Sequence, residues 1–222
     1  MIDVVHSYLG SARYHDLLDV GLRCTRIGTS SVLFSAAVFS QDRLLATGEL
    51  VYVFTETHAP APQPQALRDA LMADEAGDAM FDVKAGGWGE LGVAARAIHT
   101  EVFVDEHTIP VAMEWDEADA GGMHAVAFNR FGVPLATGRL LAHGPDLARV
   151  GRMATRQAVR GSGIARGVLN ALMAAAKERR DTEVLLHAQL SAQAFYARAG
   201  FVPRGPVFHE AGIAHIEMSR TL

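Results

Sequence analysis

The second half of the chain carries apolar residues at spacings that predict alternating strands and helices. Ile164, Val168 and Leu172 recur at four-residue intervals, which is the spacing of a helix that packs one face on a sheet. The segments at 150–155 and 184–188 have the pattern of strands, one on each side of this helix. A glycine-rich turn joins the first strand to the helix, and a short helix follows the second strand.

The first quarter of the chain shows a different pattern, in which apolar and polar residues alternate. Alternation with a period of two is typical of strands that bury one face, and residues 41–43 predict a hairpin between two of them. Cys24 falls on the apolar side of its strand, so we expect it to be a small core residue. The predicted strands cover residues 16–28, 31–40 and 44–54.

Between these two regions, the pattern predicts two helices and a linker. Prolines precede a short helix at 65–73, and the acidic stretch 72–82 has the composition of a linker. Apolar residues then recur at helical spacing over 88–103, which predicts an amphipathic helix. The remaining predicted strands are 123–128, 135–142, 202–207 and 215–218.

Composition excludes several classes of protein. The chain has 222 residues, enough for one large domain or two small ones with an ample core. No apolar stretch approaches the ~18–20 residues of a membrane span, and a net charge of −5 gives no electrostatic reason to expect a nucleic-acid partner. The single cysteine excludes a disulfide framework and fits a reducing compartment, so we expect a cytoplasmic protein.

The glycine-rich turn at 160–165 has the composition of a phosphate-binding site. It stands at the N-terminus of the predicted helix, where backbone N–H groups have no partner within the helix. Gly161 and Gly163 have no side chains that would keep a phosphate away from those donors, and Arg160 adds a positive charge. The alternative is that the glycines only close a tight turn between strand and helix.

Two motifs in this region resemble those of the GNAT acyltransferase superfamily. The pyrophosphate motif of that family, Arg/Gln-x-x-Gly-x-Gly/Ala, is similar to Arg160-x-x-Gly163-x-Ala165. The second motif has Gln189 where the family has asparagine. Its other matching residues are Ala192, Phe195, Tyr196, Gly200 and Phe201. Further segments resemble the ElaA-like branch of the superfamily, so that the likeness covers about residues 83–222.

The resemblance implies an α+β structure, the GNAT acyl-CoA N-acyltransferase fold, in which helices flank a mixed central sheet. It also implies acetyl-CoA or another acyl-CoA as the co-substrate, with main-chain groups of Met153 and Ala154 holding the pantetheine arm. The residues that the resemblance assigns to binding the co-substrate are Met153, Ala154, Arg160, Gly161, Ser162, Gly163, Ile164, Ala165 and Gln189.

Acyl transfer to an amine also needs a base for the amine and an acid for the departing thiolate. The resemblance implies that Tyr196 is the general acid, and the alternative is a tyrosine that only packs a helix on the sheet. For the base we expect Glu106, acting through water, against the alternative of a surface carboxylate. Glu114, Asp116 and Asp119 form an acidic group that would attract a cationic amine, or would only be a solvated loop.

The ten histidines do not form a recognisable metal motif. The spacing from His209 to His215 is too wide for the His-Glu-x-x-His zinc motif, and one cysteine cannot supply a cysteine set. His187 and His215 lie in apolar strands, where a hydrogen-bonded core histidine is the more common case. We therefore expect no metal.

The first part of the chain resembles a hotdog thioesterase of the 4-hydroxybenzoyl-CoA type. The similar segments lie within about residues 2–73 and include Tyr8-Leu9-Gly10 and Ala46-Thr47-Gly48. The family's first strand, with its catalytic acid, and its long central helix have no counterpart here, so no catalytic residue is assigned. A curved sheet without that helix exposes an apolar face, and we therefore expect a homodimer formed through this part.

The sequence as a whole predicts two domains. A partial hotdog domain with an antiparallel sheet is expected at 1–77, and a GNAT acetyltransferase domain at 78–222. The function that the sequence favours is an N-acetyltransferase that moves an acetyl group directly from CoA to a primary amine, whose identity the sequence does not give. Two alternatives stay open, namely an acyl-CoA thioesterase acting through the first part and a non-catalytic acyl-CoA-binding module.

Overall fold

The computed structural model describes residues 2–106, 117–210 and 212–222, with the backbone alone for residues 2–5. The chain divides into two compact units, Met1–Met80 and Phe81–Leu222. Each unit contains its own β-sheet, and each has its own buried apolar residues.

The first unit combines a four-stranded antiparallel sheet with one helix. Its elements are β1 (Ile2–Tyr8), β2 (Asp19–Ile27), β3 (Ser31–Ser40), β4 (Arg43–Val53), the short pair β5 (Thr55–Glu56) and β6 (Ala59–Pro60), and α1 (Gln65–Glu75). The four long strands pair in the order β1-β4-β3-β2, so β1 and β2 form the edges. Ser40 pairs with Arg43 across the turn between β3 and β4, which confirms the predicted hairpin.

The apolar side of β2 is covered at one end only. Cys24 is 7% exposed, as predicted for a core residue, and its backbone N–H donates to Oε1 of Glu75 at 2.7 Å. Val20 and Leu22 lie on the same side of β2, but they are 70% and 61% exposed. The prediction that this strand buries its apolar side is therefore confirmed for Cys24 and wrong for Val20 and Leu22, because Glu75 of α1 meets β2 at Arg23 and Cys24.

The second unit is built on a seven-stranded mixed sheet. Its strands are β7 (Phe81–Gly87), β8 (Met123–Asn129), β9 (Pro134–Gly144), β10 (Leu147–Thr155), β11 (Glu183–Gln189), β12 (Val202–Glu210) and β13 (Ile213–Thr221). They pair in the order β12-β13-β11-β10-β9-β8-β7. Of the strand pairs that the structure describes in this unit, β10 with β11 is the parallel one.

Helices cover both faces of this sheet. They are α2 (Trp88–His99), α3 (Ala118–Gly121), α4 (Ile164–Glu178) and α5 (Gln193–Arg198), with a π-helical segment at Thr100–Glu106 and 3-10 turns at Gln157–Val159 and Leu190–Ala192. Helix α4 connects the parallel strands β10 and β11, and its Val168, Leu169 and Leu172 are fully buried in the larger core. The α+β architecture that the resemblance implied is therefore present.

A second, smaller core lies under α2. Ala95 and Ile98 of α2 are fully buried, and they pack with Val126 of β8 and with Val102 of the π-helical segment. The apolar spacing that predicted one helix over 88–103 is thus continuous, although the helix widens at residue 100. No helix in the described part of the chain is long and apolar enough to cross a membrane.

Strand β7 is an element of the second unit that the pattern missed. The predicted linker extended to residue 82, whereas β7 pairs with β8 from Phe81 opposite Asn129 to Gly87 opposite Met123. Its two final residues are glycines, which are uncommon inside strands and weaken the pattern. Phe81 also packs on α4, where a Cβ added to Gly167 would lie 2.8 Å from its ring.

Candidate active site

The glycine turn before α4 has a backbone conformation that glycine adopts easily. Gly161 and Gly163 both have a φ of +84°, in the left-handed region, and Gly163 is the N-cap residue of α4. A Cβ placed on either glycine would meet no atom within 4 Å. Glycine is therefore needed at both positions because of the positive φ, and not because a side chain would clash with neighbouring atoms. The space beside the turn is open.

The backbone N–H groups of this turn are available to an anion. Among the described residues, none accepts a hydrogen bond from the N–H groups of residues 161–165. The Ser162 hydroxyl donates to the carbonyl of Val159 at 2.7 Å, so it leaves those N–H groups unpaired. Unpaired N–H groups at the positive end of a 15-residue helix attract negative charge. The turn can therefore hold a phosphate or pyrophosphate.

Arg160 and Glu106, which the sequence singled out for two different roles, are in direct contact. Nη1 and Nη2 of Arg160 donate to Oε1 and Oε2 of Glu106 at 2.7 and 2.6 Å. Nε of Arg160 donates to the carbonyl of Thr155, the last residue of β10, at 3.0 Å. The hydrogen bond to Glu106 raises the pKa of the Arg160 guanidinium. The predicted phosphate-binding cation and the predicted base thus form one ion pair.

Strands β10 and β11 separate at the end nearest the glycine turn. Their parallel pairing ends at Val150 and Leu186, although both strands continue for several residues beyond this point. Among the described residues, Met153 and Ala154 have no pairing partner in β11, and Gln189 ends β11 across the gap. The structure therefore places these three predicted binding residues around one opening in the sheet.

A β-bulge shapes β10 at this opening. Pairing with β9 shifts by one residue between Gly151 and Ala154, and Arg152 within the bulge has a φ of +55°. Nε2 of His99, the last residue of α2, lies 3.2 Å from the carbonyl oxygen of Arg152. Because a carbonyl can only accept, Nε2 must carry the proton. Burial lowers the pKa of His99 to about 4, so the ring is neutral at pH 7.

Tyr196 lies on α5 within the larger core. It is 7% exposed, and its ring makes edge contacts with Phe195 at 4.9 Å and with Phe201 at 6.1 Å between centroids. Burial raises the pKa of Tyr196 to about 12, so its phenol stays protonated at neutral pH. The packing role is therefore present in the structure, and a protonated phenol is also what a general acid requires.

Asp119 does not belong to a solvent-facing acidic group. Its side chain is 5% exposed and forms an ion pair with Nη1 of Arg139 at 2.6 Å. The carbonyl oxygen of Asp119 lies 2.9 Å from Nε2 of the fully buried His124. The interpretation of Asp119 as an attractor for a cationic amine is therefore wrong, because its charge is used inside the protein. Glu114 and Asp116 lie outside the described residues.

The two strand histidines are hydrogen-bonded, as predicted, but neither is a core residue, because both are partly exposed. Nδ1 of His187 lies 2.9 Å from Nη2 of Arg149, and Nδ1 of His215 lies 2.8 Å from the carbonyl oxygen of Ile213. In the part of the chain that the structure describes, no group of three or more histidine, cysteine, aspartate or glutamate side chains is arranged to hold a metal ion.

Comparison with known proteins relates this geometry to a family. The acetyltransferase (GNAT) domain family matches residues 90–222. The crystal structure of an acyl-CoA N-acyltransferase from Pseudomonas aeruginosa superimposes on this chain with a TM-score of 0.57 and a sequence identity of 34%. The alignment covers 63% of this chain and 99% of the Pseudomonas chain. The crystal structure of Escherichia coli ElaA is 26% identical, aligns with 64% of this chain and 99% of its own, and also has a TM-score of 0.57.

Curated sequences give the same relationship. ElaA from Escherichia coli strain K12 is 30% identical over 131 residues, which are 57% of this chain and 85% of ElaA. The resemblance of the second unit to the GNAT superfamily and to ElaA is thereby confirmed, whereas the resemblance of the first unit to a hotdog thioesterase stays a prediction. The chain belongs to the GNAT acetyltransferase family, and it is an acyl-CoA-dependent acyltransferase.

Proposed function

We propose that this protein is an N-acetyltransferase that moves an acetyl group directly from acetyl-CoA to a primary amine. The observation that carries the proposal is the position of the N–H-lined turn at 161–165, a few residues after the strand that borders the opening in the sheet. A CoA molecule with its pyrophosphate at this turn would direct its pantetheine arm toward the main chain of Met153 and Ala154, beyond the point where the pairing of β10 with β11 ends. Gln189 would offer its amide from the other side of the opening.

The proposed reaction is a direct displacement. The amine nitrogen attacks the thioester carbonyl, the C–N bond forms, and the C–S bond breaks. Glu106 takes the proton that the amine nitrogen loses, through a water molecule, and Tyr196 gives a proton to the departing thiolate. Backbone N–H groups at the bulge in β10 would stabilise the negative charge that develops on the carbonyl oxygen. The products are the acetylated amine and CoA as a free thiol.

Calorimetric titration with acetyl-CoA tests the binding site without any knowledge of the amine. The variant Gly163→Val places a β-branched side chain beside the unpaired N–H groups, and we expect it to lose most of the affinity. The matched control is Gly132→Val, because Gly132 also has a positive φ of +75° with no atom near its Cβ, but lies in the turn between β8 and β9. Both variants carry the same kind of backbone strain, so a difference between them reports on the turn.

Three outcomes of this titration decide the proposal. Affinity that is lost in Gly163→Val and kept in Gly132→Val supports the site and justifies a search for the amine by screening primary amines. Equal affinity in all three proteins would move the CoA site away from the turn. A wild-type protein that does not bind acetyl-CoA would contradict the enzyme proposal itself.

For the first unit we propose a role in assembly, as a homodimer formed through its sheet. The exposed apolar side chains of β2 support this proposal, since Val20 and Leu22 are 70% and 61% exposed. Light scattering should therefore give the wild type about twice the chain mass of 23.8 kDa. The variant Leu22→Lys should shift the protein toward the monomer, and a wild type that is monomeric at micromolar concentration would refute the proposal.

A further inference from the structure

The guanidinium of Arg160 is shared by two functions. All three of its nitrogens are engaged in the structure, two of them by the carboxylate of Glu106 and the third by the carbonyl of Thr155. A carboxylate bonded to both terminal nitrogens has the strongest geometry that an arginine and a carboxylate can adopt. Arg160 also immediately precedes the turn whose N–H groups are unpaired, so the same cation serves the anion-binding turn and the carboxylate.

This arrangement sets the charge that a phosphate would meet. While Glu106 is bonded to Arg160, the carboxylate cancels the positive charge of the guanidinium beside the turn. A pyrophosphate carries more negative charge than one carboxylate, and the two anions would repel each other if they lay on the same guanidinium. The side chains of Arg160 and Glu106 are 41% and 32% exposed, so water can reach the pair and the bond can be exchanged at low cost.

We propose, on the basis of the function proposed above, that the pyrophosphate of the bound acyl-CoA replaces Glu106 on Arg160 and thereby releases the Glu106 carboxylate to act as the base. In the free protein the guanidinium holds this carboxylate, and a carboxylate bonded to a guanidinium is a poor proton acceptor. The acceptor amine therefore loses its proton only when the acyl donor is already in place. The structure links donor binding to base release through one side chain.

The position of Glu106 allows its bond to Arg160 to break without detaching the rest of the π-helical segment. Glu106 is the last residue of the π-helical segment Thr100–Glu106, and segments of this kind are often found at functional sites. A second ion pair, from Glu101 to Arg156 at 3.1 Å, joins the other end of the same segment to the residue after β10. The segment therefore stays attached through Glu101 when the bond from Glu106 to Arg160 is broken.

The exchange predicts the sign of a change in affinity. If Glu106 competes with the pyrophosphate, the variant Glu106→Gln should bind CoA about two- to fivefold more tightly than the wild type, which is the size expected for a partly exposed ion pair. If Glu106 only supports Arg160 in the correct orientation, the same variant should bind CoA more weakly. The two interpretations thus differ in direction and not only in size.

Calorimetric titration with CoA, which cannot turn over, tests this on four full-length proteins. They are the wild type, Glu106→Gln, Arg160→Gln and the double variant. The exchange is supported if Glu106→Gln binds CoA more tightly than the wild type while the double variant and Arg160→Gln bind it equally. Without the guanidinium of Arg160, Glu106 and the pyrophosphate have no common partner for which to compete. The matched control is Glu101→Gln, which removes the partner of Arg156 on the same segment and should leave CoA affinity unchanged.

Each remaining outcome overturns the proposal in a distinguishable way. Unchanged or weaker CoA binding in Glu106→Gln, with normal binding in the wild type, refutes the exchange and leaves the proposed function intact. A similar gain in Glu101→Gln would show that loosening the segment, and not freeing Arg160, causes the effect. A wild type that does not bind CoA would refute the exchange and the proposed function together.

Discussion

His99 should make the second unit sensitive to acid. Its pKa is lowered from 6.5 to about 4 in the folded protein, chiefly by burial, because the charged ring would lose its water. The unfolded chain therefore binds a proton between pH 6.5 and about 4, where the folded chain does not, and this stabilises the unfolded state as the pH falls. The free energy of unfolding therefore keeps its full value above pH 6.5 and decreases as the pH falls from 6.5 toward about 4.

The size of this effect follows from the difference in pKa. A difference of about 2.5 pKa units corresponds to about 3 kcal/mol when the whole range is crossed. Between pH 7 and pH 5 the expected loss in the free energy of unfolding is about 2 kcal/mol from this residue alone. Such a loss is a large part of the stability of an ordinary domain.

Urea unfolding followed by tryptophan fluorescence measures the free energy of unfolding of the second unit, because Trp88 is the first residue of α2 and the sequence has no tryptophan in residues 1–80. The informative variant is His99→Gln, whose amide can donate to the carbonyl of Arg152 but does not titrate. We expect the loss of stability between pH 7 and pH 5 to be about 2 kcal/mol smaller in this variant than in the wild type. The control His143→Gln exchanges an exposed histidine and should keep the wild-type loss.

An equal pH dependence in the wild type and in His99→Gln would refute the reasoning. It would mean that His99 accepts its proton without cost in the folded protein, either because water reaches the ring or because the turn around Arg152 rearranges. A smaller pH dependence in His143→Gln would instead show that the exchange of any histidine produces the effect.

Two further predictions concern the opening in the sheet. If the protonated phenol is the general acid, Tyr196→Phe should lower kcat by about 100-fold or more with little change in the KM for acetyl-CoA. The release of CoA as a free thiol measures both constants. A decrease in kcat of less than about threefold would mean that Tyr196 has only its packing role. Gly138→Ala should raise the KM for acetyl-CoA and destabilise the protein by about 1–3 kcal/mol, because the added Cβ would lie 2.5 Å from Sδ of Met153. Gly89→Ala, whose Cβ meets no atom within 4 Å, is its control, and equal KM values in the two variants would contradict the predicted displacement of Met153.

Much of the fold was predictable because most elements bury one face with a regular period. The spacing of Ile164, Val168 and Leu172 gave the position of α4 to within a few residues, and the two-residue alternation predicted β2. The strand β7 was missed although Phe81, Val83 and Ala85 alternate with polar residues, because its start was assigned to the acidic linker and its last two residues are glycines. The exposure of Val20 and Leu22 was also not predictable, because alternation gives the side of a strand and not what covers that side.

The glycine turn was the predictable part of the candidate site. A turn that needs two residues at positive φ requires glycine, so the conformation is visible in the sequence. The contact between Arg160 and Glu106 was not, because 54 residues separate them and nothing in the sequence relates one to the other. The bond from His99 to the bulge was missed for the same reason, since a histidine at the end of an amphipathic helix gives no indication of its partner.

The features that carry the proposed chemistry are the places where regular structure is interrupted. The parallel pairing of β10 and β11 stops after Val150 and Leu186, and a bulge distorts β10 at Arg152. The helix after α2 widens into a π-helical segment that ends at Glu106. At each interruption, backbone groups or side chains make contacts that regular structure would not give them, and such positions recur at functional sites. Arg160, the residue before the unpaired N–H groups of the glycine turn, connects these interruptions, because its side chain contacts both the last residue of β10 and the last residue of the π-helical segment.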